Sequence, residues 1–586
     1  MKKHSIRASM MLVVVGLLAS CSSSDEATTT NVATATTAVA ATSAATATTG
    51  EPTETTATGE STATSAGGDT TATAETTATD ETTATSEAAS PATEWVTDGV
   101  DRDATLRVAT FAPMGTADPH AQGATVSTTY FNMMYDRLFN VGRNSSVSGY
   151  LVTDWKFGDN SLTLTLRDEA TFQDGSPIDA AAVKANIDRA RTMETSAYTQ
   201  QLASIQSVDV VDATTVKLNL APKSGATLPY VLGGWAGMII NPKYMDPAVL
   251  KTSAPDGVGS GPYKLESWTA GDLEVTFDRV DSHWDKSAGQ AAKVEIYFAA
   301  DATQAVNAVT AGQDSFYVAG GLAAVEAISQ ADSDSDNLQA GGYMDSYSSS
   351  GFWMRDKVDP QVREAMSLAI DRDALNELYQ GSAVTNNQLY PQGSDMYSED
   401  INALTVHDID KAKELIASAP AGTTDLKMAY VESDISVQIA ELFQAQMAEI
   451  GLNLTLVPMT HAAIYQAWFK GEFDILSAGT AGPQHPSTGI SAILLRGGVN
   501  WGAPDSALAD IQAQLDKADD PAMSDDDRDA IYTDILTNAA KENWYLIYNN
   551  LRNTSYAQKD IVNVSPELPN QYQSLPDFRY VAKLAD

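Results

Sequence analysis

Residues 22–93 contain almost no large apolar side chains, and this limits where the chain can fold. The segment consists mainly of Thr, Ala, Ser and Glu. Such a composition buries too little apolar surface to offset the entropy of ordering, so it is expected to stay disordered. No Lys or Arg occurs between Arg7 and Arg102, so the segment is also acidic. We therefore interpret 22–93 as a flexible tether and expect the folded part to begin at residue 94.

The segment ahead of the tether has the pattern of a bacterial export signal. Basic residues at positions 2, 3 and 7 precede an apolar run over 10–18 that is too short to span a bilayer. Leu18-Ala19-Ser20-Cys21 then resembles a lipobox, whose cysteine becomes the lipidated N-terminus. Cys21 is the only cysteine in the chain. We therefore predict a signal peptide over 1–21 and a lipid anchor on Cys21 that holds the protein at the outer face of the cell membrane. The alternative is an ordinary signal peptide that is cleaved nearby and discarded with its cysteine.

The composition of the folded part excludes several classes of function. A stretch from 94 to 586 is too long for one simple core and indicates at least two domains. The whole chain has a formal net charge of −40, and the folded part is itself strongly acidic, which argues against nucleic acid as a partner. The six histidines form no HExxH motif, the sequence has no G-x-S-x-G, and His and Cys are not clustered. We therefore predict neither an enzyme nor a metal or cofactor site. Paired carboxylates for glycoside hydrolysis stay open, because the chain is acidic throughout.

Hydrophobic periodicity indicates an α/β fold. In the first half, alternating residues predict strands at 162–166, 216–220, 273–277 and 294–298, with a helix at 180–191. In the second half, we predict a strand at 426–431, a helix capped by Ser436 and ended by Gly451, a strand at 452–456, a helix at 462–470 and a strand at 473–476. This order is typical of a doubly wound unit, in which ligands bind at the carboxyl ends of the strands.

Four segments, in order, resemble solute-binding protein family 5 of ABC transporters, the peptide- and nickel-binding extracellular lipoproteins. They are Leu162–Ile178 (LTLTLRDEATFQDGSPI), Gly259–Tyr263 (GSGPY) with the later Trp268 and His283-Trp284, Val362–Arg372 (VREAMSLAIDR), and Gln444–Leu454 followed by Gly471–Asp474 (GEFD). The resemblance covers about 104–580, nearly the whole folded part.

The resemblance implies a two-lobe, periplasmic-binding-protein-like clamp with an extra subdomain on lobe I. The implied boundaries are 94–146, 236–298 and 545–586 for lobe I, 147–235 for the extra subdomain, and 299–544 for lobe II. The chain would cross between the lobes near 296–300 and 544–550. A ligand between the lobes would shift the population towards closure.

The implied function is capture of an oligopeptide or other small solute and its delivery to ABC permease subunits. We expect a monomer whose membrane contact is through the lipid anchor. The alternative is a wall-tethered clamp that serves as a sensor or binds a partner protein without coupling to uptake.

Aromatic and backbone positions are the first candidates for solute contact. Phe111 lies where the family's first strand turns into the cleft. Trp353 and Trp501 stand among Gly, Ser or Asn residues, so they are the better candidates for an aromatic wall, although a single Trp more often belongs to a core. The loop Gly259–Tyr263 is interpreted as structural support, since its glycines allow close backbone approach.

Polar candidates mark departures from the family pattern. The stretch after the last predicted strand contains Thr480 and His485, where peptide-binding relatives place an acid that pairs with the peptide's α-amine. His485 can hydrogen-bond a solute or sense pH, or it is a surface-loop histidine. Arg355 stands where the family usually has Asn. It can pair with a ligand carboxylate, or it is a solvated arginine.

Overall fold

The computed structural model describes residues 95–121, 127–142, 145–319, 324, 327–328, 331, 338–381, 383–404, 406–480, 485–495, 502–564 and 575–585. The predicted signal peptide, Cys21, the tether and Trp501 lie outside these residues.

The strands of the described residues are β1 (Thr105–Thr110), β2 (Phe139–Val141), β3 (Val147–Gly149), β4 (Val152–Gly158), β5 (Ser161–Leu166), β6 (Ile205–Val210), β7 (Thr215–Leu220), β8 (Tyr263–Leu265), β9 (Glu274–Arg279), β10 (Lys293–Phe298), β11 (Phe316–Val318), β12 (Leu338–Met354), β13 (Ala383–Thr385), β14 (Asp425–Val431), β15 (Asn453–Met459), β16 (Ile475–Thr480), β17 (Tyr545–Gln558), β18 (Ile561–Val562) and β19 (Ala582–Lys583).

The α-helices of the same residues are α1 (Ser127–Met134), α2 (Ala180–Thr192), α3 (Leu228–Val231), α4 (Pro247–Leu250), α5 (Ala302–Thr310), α6 (Pro360–Ala369), α7 (Arg372–Glu377), α8 (Glu399–Ala403), α9 (Ile409–Ser418), α10 (Asp434–Glu449), α11 (His461–Lys470), α12 (Pro486–Leu494), α13 (Asp505–Ala518) and α14 (Asp525–Lys541). In this part of the chain, no helix is long and apolar enough to cross a membrane.

One large mixed sheet forms the frame of the folded part. Its strands follow the order β15-β14-β16-β12-β17-β11-β1-β10-β9-β8, and β13 pairs with β17 beside this path. At one end, β14 lies parallel to both β15 and β16, with α10 and α11 as the connections. This is the doubly wound unit that the sequence predicts. The cap of α10 is Ser433 rather than Ser436, while Gly451 adopts the expected left-handed conformation at φ 87°.

Two long strands join the halves of the sheet. β12 and β17 run antiparallel, and their pairing contains three register shifts in its middle. β11 pairs with β1, and α5 packs in the same core cluster as Ala109 of β1. The chain therefore continues beside lobe I through residue 318, beyond the crossing expected near 296–300. We propose that the first crossing lies in β12, whereas the other lobe boundaries stay predictions.

The extra subdomain is built on a four-stranded antiparallel sheet. Its order is β4-β5-β7-β6, and α2 packs on it. Asp179 caps α2 by accepting a hydrogen bond from the N–H of Ala182. The side chains of Leu162, Leu164 and Leu218 are fully buried, as the alternation in the sequence predicts.

The Gly259–Tyr263 loop supports lobe I rather than lining a site. A side chain at Gly259 or Gly261 would meet the backbone of α1 at 2.3–2.4 Å, so only glycine fits this close approach. Tyr263 is fully buried, and its hydroxyl accepts a hydrogen bond from the N–H of Ala291 at 3.1 Å. The loop thus fixes α1, which follows the first strand.

A candidate solute-binding cleft

The carboxyl ends of β1 and β16 approach the same stretch of β17 from opposite sides. Thr110, the last residue of β1, is connected through β11 to Ser555 of β17. Thr480, the last residue of β16, is connected through β12 to Asn550 of β17. Positions 550 and 555 are separated by about 17 Å along an extended strand. Because ligands of such sheets bind where strand carboxyl ends open onto a crevice, the 550–555 stretch forms the floor of the candidate cleft.

Phe111 lies at the edge of this cleft, directly after β1. The preceding strand is buried, whereas the Phe111 side chain is 36% exposed. The turn that carries it is held by Tyr130 of α1, whose hydroxyl donates to the carbonyl of Ala112 at 2.9 Å and lies 3.2 Å from Thr110 Oγ1. Phe111 is therefore accessible directly after the end of β1, and its contact with a solute stays a prediction.

His485 follows β16 by five residues and stands directly before α12. Its Nδ1 accepts a hydrogen bond from the N–H of Ser487 at 3.2 Å and caps the helix. Its ring packs on Tyr230 of the extra subdomain, with 4.8 Å between centroids, and meets Tyr532 edge-on at 6.2 Å. His485 thus belongs to a contact between the subdomain and lobe II, and is not a free surface-loop residue.

The electrostatics of His485 favour a neutral ring that donates. Burial, followed by the nearby Arg528 guanidinium, lowers the pKa of the imidazole to about 4. The ring is therefore uncharged at pH 7. Since Nδ1 already accepts from Ser487, the ring hydrogen lies on Nε2, where it can be donated.

A cavity of about 270 Å³ lies beside His485. Its other lining residues are Ser145, Tyr390, Ser394, Asp395, Met396, Pro486, Asp525, Arg528, Asp529 and Tyr532. The cavity therefore has more carboxylates than cations. Burial, then the neighbouring Asp525 carboxylate, raises the pKa of Asp529. Arg528 donates to Asp525 at 2.5 Å and to backbone carbonyls of the preceding turn. In the described part of the chain, no group of His, Cys, Asp and Glu is placed to hold a metal ion.

Comparison with known sequences identifies the family. The family profile of bacterial extracellular solute-binding proteins, family 5 Middle, matches residues 146–501. The chain belongs to the bacterial extracellular solute-binding proteins of family 5. Members are solute-binding proteins of ABC importers that act outside the cytoplasm, and they are not enzymes. The resemblance read from the four motifs is thereby confirmed.

Curated relatives and solved structures agree with this assignment. The glutathione-binding protein GsiB of Salmonella paratyphi A is 28% identical over 351 residues, which cover 59% of this chain and 67% of the relative. Two solved structures each cover 82% of this chain. They are AgaA from A. tumefaciens R10 with agropinic acid (TM-score 0.68, 22% identity, 99% of that chain) and NikA from Brucella suis with Fe(III)-EDTA (TM-score 0.69, 21% identity, 100% of that chain). These similarities confirm the two-lobe clamp fold.

Trp353 and Arg355 are not placed in the cleft. Trp353 is fully buried in the core of lobe II, where its Nε1–H donates to the carbonyl of Ala478 at 2.9 Å. Arg355 follows the end of β12 that pairs with the start of β16, some 20 Å from Thr480 at the other end. Its guanidinium lies 4.6 Å above the ring of Trp468. Local composition suggested a solute contact at Trp353, and a departure from the family pattern suggested one at Arg355, but the structure buries both side chains.

Thr480 and Asp474 stand near opposite ends of β16. The backbone of Thr480 ends β16 at the cleft, and its side chain lies outside the described set. Asp474, a possible substitute acid, stands before the opposite end of β16 and forms an ion pair with Lys357 at 2.6 Å. Its carboxylate therefore already has a cation partner, and it lies about 20 Å from Thr480 along β16.

Sequence reasoning missed the residues that meet His485 from other elements. Tyr230 comes from the extra subdomain and Tyr532 from α14, so neither is near His485 in the chain. The same holds for Asp519, which follows α13 and contacts the subdomain loop 225–227. Each belongs to an ordinary helical or loop pattern, and only the tertiary packing shows that they join the extra subdomain to lobe II.

Proposed function

We propose that this chain captures a peptide-sized solute in the cleft between β1 and β16 and delivers it to the permease of an ABC importer. The observation that carries the proposal is the approach of the carboxyl ends of β1 and β16 to one stretch of β17, with Phe111 directly after β1 and His485 five residues after β16. The relatives support a small polar solute, because their printed names concern glutathione and agropinic acid. The proposed contacts of the solute are Phe111, Thr480, His485 and Trp501.

The neutral His485 ring defines one end of the proposed solute. Its Nε2–H is a hydrogen-bond donor, so it can bind a carbonyl or carboxylate of the solute but cannot accept from an ammonium group. A buried ammonium without a carboxylate partner is costly. We therefore propose that N-blocked or non-peptide solutes bind better than peptides with free α-amines. Asp529 is the nearby carboxylate that could reverse this preference, since it lines the adjoining cavity.

Calorimetry with tetra-alanine and N-acetyl-tetra-alanine tests this proposal. We expect the acetylated peptide to bind the full chain at least as tightly as the free peptide. If the free peptide binds more than about tenfold tighter, which is about 1.4 kcal/mol, the proposed role of His485 is wrong. Asp529→Asn then shows whether the Asp529 carboxylate binds the amine. If it does, the variant should lose the preference for the free peptide.

We further propose that Cys21 carries the lipid that anchors the protein. Since it is the only thiol in the chain, Cys21→Ser should abolish lipidation and release the protein into the medium. Metabolic labelling with a radioactive fatty acid would measure lipidation, and fractionation of cells would measure release into the medium. Retention of the label in the Cys21→Ser variant would contradict the anchor.

A further inference from the structure

Asp519 connects lobe II to the extra subdomain through both its side chain and its backbone. It follows α13 directly, and its carboxylate accepts from the N–H of Gly225 at 2.7 Å and the N–H of Thr227 at 3.1 Å. The Thr227 hydroxyl donates to the same carboxylate at 2.9 Å. The N–H of Ala226 donates to the Asp519 backbone carbonyl at 3.1 Å. Three consecutive amides therefore bind one residue nearly 300 positions away.

The shape of the 225–227 loop creates this binding site. Gly225 has a φ of 102°, a conformation that favours glycine, and a side chain there would meet Leu220 at 2.7 Å. Successive backbone N–H groups in such a turn form a concave cradle for an anionic group. The carboxylate of Asp519 is seated in this cradle.

Asp519 is itself positioned by the turn between α13 and α14. Arg528 donates from Nε to the carbonyl of Ala518 at 2.8 Å, and from Nη2 to the carbonyls of Asp520 and Met523 at 3.2 Å. These bonds lie entirely within lobe II, so Asp519 is held in place whether or not the lobes touch.

From this geometry we infer that Asp519 is a latch that holds the extra subdomain and lobe II together in the closed clamp. The inference rests on the opening and closing assumed in the proposed function. It assigns to Asp519 a positioning role that does not depend on the identity of the solute. Hydrogen bonds to a charged acceptor are stronger than neutral ones, so one carboxylate with three donors can bias the closure equilibrium strongly.

The surroundings of Asp519 make the latch reversible. It lines a crevice of about 630 Å³ between the subdomain and lobe II, bounded by polar residues such as Gln200, Ser491 and Gln512. Water can enter a crevice of this size and polarity, so both the carboxylate and the amides can be rehydrated on opening. The neighbouring ion pair between Lys223 and Asp520 is longer, at 3.6 Å, and its lysine is 83% exposed, so it adds little.

Two variants and one matched control test the latch. Asp519→Asn removes the charge. Thr227→Val removes only the hydroxyl donor and keeps the backbone amides. Asp516→Asn is the control, because Asp516 lies one turn earlier on α13, lines the same crevice and bonds to Gln512 within its own helix.

The measurement is the distance between spin labels on the two lobes. Cys21→Ser removes the only native thiol, and Val211→Cys and Val406→Cys add labels at side chains that are each 59% exposed. The full chain is freed of solute by unfolding in urea and refolding by dialysis. Double electron–electron resonance then gives the fractions of short and long distances, and thermal unfolding shows that each variant is folded.

We expect the ratio of closed to open molecules to fall by about tenfold or more in Asp519→Asn, by less in Thr227→Val, and to stay unchanged in Asp516→Asn. Thermal midpoints should stay close to that of the parent chain. If the parent and Asp519→Asn show the same ratio of closed to open molecules, the latch is overturned but the clamp is not. A parent chain that is mostly open would have the same consequence. One identical distance in every variant would overturn both the latch and the proposed lobe opening. If Asp519→Asn does not fold, Thr227→Val decides by the same criterion.

Discussion

Asp118 and Asp519 make similar bonds, but they occupy different surroundings. Asp118 is 1% exposed within lobe I, where its carboxylate accepts from Arg189 at 2.5 and 2.9 Å and from the N–H of His120. Asp519 is only half-buried and accepts from the amides of a loop on the other side of the lobe interface. The buried pair of Asp118 and Arg189 is thus part of the fold, whereas the half-buried Asp519 contact is one that the protein can break and form again.

The same contrast applies to two histidines, His120 and His485. His120 is fully buried in lobe I, between Arg189 and the carbonyl of Met238. His485 is mostly buried because Tyr230 covers it from the other lobe. For both residues burial is the main cause of a pKa near 4. Protonation of His120 therefore bears on the fold, whereas protonation of His485 bears on lobe closure.

Replacement of Asp118 should have the largest effect. Asp118→Asn leaves the Arg189 guanidinium buried without its carboxylate, and breaking a buried pair in this way costs about 3–5 kcal/mol. Asp519→Asn should lower the free energy of unfolding by much less, because the open clamp rehydrates the exposed groups. Urea denaturation of both variants measures the difference. Equal losses would mean that the Asp519 contact is as permanent as the Asp118 pair.

Acid should destabilise the fold through His120. Its pKa is lowered in the folded protein, so the unfolded chain binds more protons and stability falls as the pH decreases from about 6.5 towards 4. Above pH 6.5 this contribution is fully present. We expect a loss of about 1–3 kcal/mol across the window, measured as the parent minus the His120→Gln variant in urea titrations. Parallel profiles for the two proteins would contradict this assignment.

Acid should also favour the open clamp through protonation of His485, with a smaller change in free energy than the one expected for His120. Opening uncovers the ring and raises its pKa towards the ordinary value, so protonation between about pH 6.5 and 4 favours the open form. His485→Asn keeps a good helix cap and removes the titrating group. The spin-label distance should therefore lengthen with acid in the parent and much less in the variant. Identical pH responses would show that His485 does not control closure.

The sequence predicted the parts of this fold that depend on local pattern. The β14–β16 unit follows directly from hydrophobic periodicity, and Gly451 from its place after a helix. The alternation of Leu162, Leu164 and Leu166 gave β5 and its buried face in the same way. Such features need only neighbouring residues, because the period of a strand or helix fixes which side chains share a face.

The cleft was less predictable, because strand register decides which residues reach it. Phe111 and His485 follow strand ends, and ends of this kind can be recognised in a sequence. Trp353 lies in a Gly- and Ser-rich stretch that suggests a loop, yet it pairs with Leu476 in the middle of a sheet and is buried. Asp519 gave no signal at all, because its partners come from a distant loop of the subdomain.

Native mass spectrometry of the full chain released gently from its own membranes tests the central claim that solute binds at the β1–β16 cleft. Three proteins are compared: the parent, Phe111→Arg, which places a long charged side chain at the cleft edge, and Val211→Arg, an exposed control in the subdomain. We expect a retained small molecule in the parent and in Val211→Arg, and its loss in Phe111→Arg. The same retained mass in Phe111→Arg, or none in any of the three proteins, would contradict this claim.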